Sequence, residues 1–196
     1  MTPGGPPPWV MREPSREPAK PAAPGPARVP LRPFSDADIV RYFGDPTPYI
    51  NDDGSVSRAW EMEHMSYAVL PAPLPLTGSS TLVVRKLRVH RRAVAQFEDF
   101  FAALFNEPEV WKTIGDCAGA YNWRPQRRSK ALSRHAWGVA VDLDVGDNPF
   151  GDATPNVHPR TIALAEEFGF AWGGFFAAPR TDGMHYEAAD PFRLTG

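Results

Sequence analysis

The chain contains a single cysteine, Cys117, and no long run of apolar residues. One cysteine excludes an internal disulfide framework and a cysteine-rich zinc site. No stretch reaches the ~18 consecutive apolar residues of a membrane span, and no cationic segment followed by an apolar run is present at the N-terminus. We therefore expect neither a membrane-spanning helix nor a signal peptide.

Excess positive charge is also absent from most of the chain. The net charge is −2, and residues 1–33 alone carry five Lys or Arg against two Glu. The remaining residues are therefore acidic overall, which argues against a folded domain that binds nucleic acid through its total charge.

Proline is unevenly distributed, because residues 1–33 contain eleven of the 23 prolines. Proline fixes φ and lacks an N–H, so this segment is predicted to be an extended, disordered tail. Residues 34–196 have the apolar and aromatic content of one globular domain, which we expect to be monomeric.

Hydrophobic periodicity predicts the elements of this domain. Residues 81–89 are typical of a strand, and apolar residues spaced by three and four after Arg91 predict a helix that ends before Glu107. A second helix is predicted over 159–168, with strands at 138–144, 170–176 and 184–187. Residues 36–76 are expected to be irregular, with one short helix at most. The fold class is therefore α+β, a small and mainly antiparallel sheet flanked by helices.

The strand SRHAWGVAVDLD, residues 133–144, carries polar groups that need partners if they are buried. Alternation places Val139, Val141 and Leu143 toward the core and Asp142 on the opposite face. His135 precedes the strand and can fold back over that face. Asp144 is interpreted as a residue at the rim of the site.

DGMHYE, residues 182–187, supplies a second set of polar groups. His185 and Glu187 share one face of a short strand, and Asp182 lies three residues before His185. Catalytic zinc binds three His or carboxylate ligands and leaves a fourth position for water, so His135, Asp142 and His185 are a candidate ligand set, with Asp182 as the base. Spacing alone leaves open a metal-free domain in which these residues are structural.

Both stretches resemble signatures of a known family. SRHAWGVAVD matches the Ser-x-His-x-x-Gly-x-Ala-x-Asp pattern of the M15 zinc peptidases, the D-alanyl-D-alanine carboxypeptidase group that includes VanY-type enzymes and phage endolysins. DGMHYE is similar to that family's second signature, and the two motifs occur in the family's order. The resemblance covers roughly residues 85–187.

This resemblance implies a hedgehog/DD-peptidase-like fold and one Zn²⁺ per chain, held by His135, Asp142 and His185. It assigns the catalytic base to Asp182, and it implies that an upstream arginine stabilises the substrate carbonyl. Arg124 is the best placed candidate, with Arg127 and Arg128 as alternatives.

Ser133 and Glu187 are predicted to orient the ligands through hydrogen bonds. Glycines in Trp172-Gly173-Gly174 are expected to permit a close backbone approach. The other three histidines, His64, His90 and His158, are left outside the site.

The expected function is hydrolysis of peptidoglycan stem peptides, either as a D-Ala–D-Ala carboxypeptidase or as an L-Ala–D-Glu endopeptidase. A phage or prophage lytic enzyme released through a holin would act on the cell wall without a signal peptide. The alternative from a different class is a non-catalytic peptidoglycan-binding or virion protein that retains the peptidase fold.

Overall fold

The computed structural model describes residues 29–126 and 131–195, which form an α+β fold with two antiparallel sheets. The helices and strands, in chain order, are α1 Asp36–Phe43, α2 Arg58–His64, β1 Met65–Pro75, β2 Val83–His90, α3 Val94–Phe105, α4 Pro108–Trp111, β3 Cys117–Gly119, β4 Ala140–Leu143, α5 Pro159–Glu167, β5 Phe170–Trp172 and β6 His185–Ala188. The predicted fold class is thereby confirmed. None of the helices in the described ranges has the length and apolar character needed to cross a membrane.

The two-stranded sheet pairs β1 with β2 and packs its inner face on α3. The predicted aromatic stripe of α3 lies in this core, where Phe97, Phe101 and Leu104 are completely buried. Helix α3 also contacts α5, so it joins the two-stranded sheet to the rest of the molecule.

The four-stranded sheet has the order β3-β4-β6-β5, with every neighbouring pair antiparallel. Strands β4 and β6 lie in the centre, and α5 packs beside β5. Helix α5 begins with Pro159 and is followed by Gly169 at a φ of +80°, as the sequence predicted. Its buried residues are Thr161, Leu164 and Ala165, so the inward face is turned slightly from the predicted one.

The prediction for residues 36–76 was wrong. This segment contains α1, α2 and the eleven-residue strand β1. The prolines of β1 concealed it, because proline is unusual in a strand interior. Pro71, Pro73 and Pro75 all lie on the exposed side of β1, and the pairing with β2 is irregular between Val69 and Leu74. The strand tolerates them because β1 pairs with β2 alone and is therefore an edge strand, where proline can occur.

The strand predicted over 170–176 is shorter than expected. β5 ends at Trp172, and Gly173–Phe175 form a 3₁₀ turn. The tail predicted over 1–33 lies largely outside the described residues. Residues 29–33 contain no helix or strand, and the Leu31 N–H donates to Glu166 Oε1 at 3.3 Å.

Candidate metal centre

Pairing between β4 and β6 brings the two sequence motifs together. The register sets Asp142 directly opposite His185, and Ala140 opposite Glu187. Opposite residues in a sheet project to the same face, so both motifs deliver polar side chains to one side of the four-stranded sheet. Val139, Val141 and Leu143 are buried in the core, as predicted.

His135 reaches the same place from a short 3₁₀ turn, Arg134–Trp137. Ser133 caps this turn, since its Oγ accepts a hydrogen bond from the His135 N–H at 3.4 Å. Gly138 then reverses the chain into β4 with a φ of +65°, and a Cβ there would lie 2.9 Å from the His90 nitrogen. The turn therefore requires glycine at this position, and it folds His135 back over Asp142.

Three ligand-type atoms converge at this point. His135 Nε2 lies 3.1 Å from Asp142 Oδ1 and 3.2 Å from His185 Nδ1, and the latter two atoms are 3.0 Å apart. These residues form the one such cluster of His, Cys, Asp and Glu found in the described part of the chain. Both imidazoles are buried, and the carboxylate is half-buried.

The outer nitrogen of each imidazole is already engaged as a donor. His135 Nδ1 lies 2.7 Å from the Ala120 carbonyl oxygen, which can only accept a hydrogen bond. His185 Nε2 lies 2.8 Å from Glu187 Oε2. When both imidazoles are neutral, their inner nitrogens therefore carry lone pairs that face each other and a carboxylate. Such a group needs a shared positive charge, either a proton or a metal ion.

The spacing fits a tetrahedral zinc ion. Bonds of ~2.0–2.1 Å at tetrahedral angles separate ligand atoms by about 3.3 Å, close to the three distances given above. Two imidazoles and one carboxylate also form a known catalytic zinc set, in which a fourth position stays open. The residues present thus fit the metal that the sequence motifs implied.

Electrostatics at the cluster also favour a cation. Burial raises the pKa of Asp142, but hydrogen bonds and charge interactions with His135 and His185 outweigh this and hold the pKa well below its usual range. Burial lowers the pKa of His185, yet its contacts with Asp142 and Glu187 raise it to about 10. Metal binding replaces protons at such sites.

Trp172-Gly173-Gly174 provides the close approach expected of it. A Cβ at Gly173 would lie 2.4 Å from the backbone oxygen of Asp182 and 3.2 Å from His185 Cβ. The Asp182 N–H donates to the Gly173 carbonyl at 3.0 Å, and the His185 N–H donates to the Asp182 carbonyl at 3.1 Å. Gly173 therefore sets the position of the turn that carries Asp182 and leads into His185.

A cleft of about 940 Å³ opens over the cluster, within the size range of ligand pockets. All seven residues singled out by the sequence line it: Arg124, Ser133, His135, Asp142, Asp182, His185 and Glu187. Its walls also include further cationic and apolar side chains, namely Arg180, Phe150, Phe176 and Met184. The cleft can thus contact both charged and apolar parts of a substrate.

Arg124 lies on the segment between β3 and the His135 turn, where the Ser133 N–H donates to the Arg124 carbonyl at 3.0 Å. Its guanidinium Nη1 is 3.5 Å from the Pro125 carbonyl oxygen, a weak contact that leaves the side chain able to bind another group. The alternatives Arg127 and Arg128 lie outside the described residues.

Asp144 is not a rim residue, which corrects its interpretation from the sequence. Its Oδ1 accepts hydrogen bonds from the N–H groups of Gly115 and Asp116, so it fixes the segment that enters β3. His158 caps α5, and His90 is buried beside Phe43, so neither belongs to the site. His64 stacks on Trp60, likewise away from the cleft.

Sequence reasoning missed Arg134. Its side chain is almost buried, and its Nε lies 3.5 Å from Glu187 Oε1. Nη1 donates to Asp36 Oδ1 at 2.9 Å, and Nη2 donates to the Phe34 carbonyl at 2.8 Å. The sole sequence signal for this residue is its position beside His135.

Comparison with known proteins finds a match to the part of the chain that contains the cluster. Residues 127–188 match a protein-family model described as D-alanyl-D-alanine carboxypeptidase, of peptidase family M15. No curated protein and no solved structure matches the chain. The matched segment contains both motifs and every cluster residue described above. The resemblance is thereby confirmed: the part of the chain that carries the site is similar to the M15 peptidases.

Proposed function

We propose that the chain is a zinc-dependent peptidase that hydrolyses the stem peptides of peptidoglycan, with His135, Asp142 and His185 as the ligands of one Zn²⁺ ion. The family supports a peptidase that acts on peptidoglycan. The observation that carries the zinc proposal is the convergence of three ligand-type atoms at about tetrahedral spacing in the lining of the cleft.

The chemistry is divided among the residues of the cleft. A bound zinc ion supplies Lewis-acid activation of water at neutral pH. Asp182 lines the cleft three residues before His185, where a carboxylate can take the proton of the attacking water and deliver it to the leaving amine. Arg124 holds the scissile carbonyl oxygen as it gains negative charge.

Ser133 and Glu187 orient the proposed metal ligands through hydrogen bonds. Glu187 accepts from His185 Nε2, which leaves Nδ1 as the coordinating atom. Ser133 acts on the backbone instead, because its hydroxyl caps the turn that carries His135. One therefore orients a ligand directly and the other orients it through the main chain.

The charge of the cleft suits a stem peptide. Arg124 and Arg180 both line it, and carboxylates occur in stem peptides at the chain end and on side chains. Both a D-Ala–D-Ala carboxypeptidase and an L-Ala–D-Glu endopeptidase are consistent with these two cationic side chains in the cleft. The protein acts as a monomer on the cell wall in this proposal, and a phage or prophage lytic enzyme is one such protein.

The central test compares three variants on purified peptidoglycan and measures bound zinc by elemental analysis. Asp182→Ala is expected to retain about one zinc per chain and to lose turnover by ~10²–10⁴-fold, the usual range for a general acid–base. His135→Ala is expected to lose both zinc and turnover. Asp147→Ala removes an exposed carboxylate outside the cleft and should retain both.

Three results would contradict the proposal or a part of it. Near-normal hydrolysis by Asp182→Ala would remove this residue from the catalytic role, and a wild-type protein without zinc after zinc addition would exclude the metal centre. Wild type that binds zinc and wall material without cleaving it would instead indicate a non-catalytic wall-binding protein. Mass spectrometry of the products then identifies the bond, since loss of one alanine indicates a carboxypeptidase and release of free stem peptides an endopeptidase.

A further inference from the structure

Arg134 joins the metal cluster to the N-terminal part of the fold. Its guanidinium contacts three acceptors: the Glu187 carboxylate, the Asp36 carboxylate and the Phe34 carbonyl. Phe34 and Asp36 precede and begin α1, about 100 positions earlier in the sequence. The segment before α1 is therefore held beside the cleft, which Pro33 and Arg134 both line.

The Glu187 carboxylate is shared between this arginine and a proposed metal ligand. Oε1 lies 3.5 Å from Arg134 Nε, and Oε2 lies 2.8 Å from His185 Nε2. Glu187 is 5% exposed, so it has little access to water and depends on these two partners. Together they fix both oxygens of the carboxylate.

The two carboxylates that contact Arg134 differ in exposure to solvent. The side chain of Arg134 is 10% exposed and that of Glu187 6%, whereas the side chain of Asp36 is 75% exposed. An exposed ion pair contributes little, while a buried charge without its partner is costly. The contact with Glu187 is thus the one on which the cluster depends.

We propose that Arg134 is a positioning residue for the metal centre, which acts through the Glu187 carboxylate to hold His185 with Nδ1 toward the metal. This inference rests on the proposed zinc site. Groups that orient a ligating histidine typically change metal affinity by 10–100-fold when they are removed. Arg134 acts one step further from the metal, so its effect must pass through Glu187.

The test is a double-mutant cycle on zinc affinity, measured by competition with a chromogenic chelator. Arg134→Met and Glu187→Gln are each expected to weaken zinc binding by about tenfold or more. In the Glu187→Gln background, Arg134→Met should add less than about twofold, because its partner is already neutral. Asp36→Asn is the matched control at the exposed end, and it should change the affinity by less than about twofold.

Arg134→Lys keeps the charge but loses the planar fork that reaches three acceptors at once. It is expected to bind zinc with an affinity between those of wild type and Arg134→Met. Circular dichroism of the metal-free proteins checks that the variants fold, and Arg134→Lys replaces Arg134→Met in the cycle if the latter does not fold.

The inference fails if Arg134→Met binds zinc as tightly as wild type, or if it weakens binding equally in both backgrounds. These results differ from a failure of the proposed function, in which wild type itself would bind no zinc. The measurement follows metal affinity alone and does not depend on which peptide bond is cleaved.

Discussion

The two sheets of this molecule use polar residues in opposite ways. In the two-stranded sheet, the exposed face carries Tyr67, Val69 and Lys86, and the buried face is apolar. In the four-stranded sheet, β6 is buried along its whole length, yet it includes His185 and Glu187. Buried polar groups need hydrogen-bond partners, and here His185 and Glu187 hydrogen-bond to each other.

This difference distinguishes the two-stranded sheet, which supports the fold, from the four-stranded sheet, which carries the candidate metal centre. A half-buried sheet with a solvent-exposed face is the ordinary arrangement for an antiparallel pair. Burying an imidazole and a carboxylate in a strand costs stability unless these groups are hydrogen-bonded, paired or bound to a metal. The family match covers residues 127–188 and so includes the central strands β4 and β6 but neither strand of the two-stranded sheet.

Among substitutions outside the proposed ligands and base, the largest effect is expected from Gly173→Ala, which adds one methyl group at the close approach beside Asp182. The new Cβ would lie 2.4 Å from the Asp182 carbonyl oxygen, so the turn that carries Asp182 must shift. A displacement of about 1 Å in a catalytic group can cost ~10²-fold in turnover. Steady-state hydrolysis of peptidoglycan measures this loss.

Gly146→Ala is the matched control, because nothing lies within 4 Å of a Cβ at Gly146. It should leave turnover within about twofold of wild type. Equal losses in both variants, or full activity in Gly173→Ala, would show that the Gly173 turn does not set the geometry of the site.

A smaller effect is expected at His90, which ends β2 and joins the two sheets. Its N–H donates to the Gly138 carbonyl at 2.9 Å, and its Nε2 lies 3.1 Å from the Phe43 carbonyl oxygen. Burial, followed by the charges of His64, Arg92 and Arg91, lowers the pKa of His90 to about 3, although its hydrogen bond to Phe43 opposes this. The folded protein therefore keeps His90 neutral where the unfolded chain takes up a proton.

Because the unfolded state binds the extra proton, this contribution to stability is complete above pH ~6.5 and is lost as the pH falls toward 3. The expected loss is about 2 kcal/mol between pH 6.5 and 5. Urea unfolding of metal-free wild type and His90→Asn at the two pH values measures it. The pH dependence of His90→Asn should be weaker by about that amount, and identical slopes would contradict the prediction.

Much of the site could be predicted from the sequence, because its residues lie in two short motifs. Alternation along a strand is a local property, so the faces of Asp142, His185 and Glu187 followed from spacing alone. The register that sets Asp142 opposite His185 is not local, and it was the family resemblance that brought the two strands together.

The parts that escaped prediction depend on distant contacts or on an unusual local composition. Arg134 reaches Phe34 and Asp36 across about 100 residues, and no spacing rule reports such a contact. Strand β1 was missed because its prolines contradict strand propensity, and they are tolerable because β1 is an edge strand with irregular pairing. Asp144 was misplaced because a carboxylate that caps a neighbouring loop has no distinct sequence pattern.

The smallest effect is expected from Val69→Thr on the exposed face of β1. Val69 is 62% exposed, and threonine keeps the β-branched shape that a strand favours. Its backbone N–H donates to Glu98 Oε1 at 2.9 Å, a contact that the substitution does not remove. Stability should change by less than about 0.5 kcal/mol in urea unfolding, with zinc affinity and turnover unchanged. A clear loss of turnover with unchanged stability would mean that this face contacts the substrate, and both sheets would then take part in the chemistry that we propose for the four-stranded sheet alone.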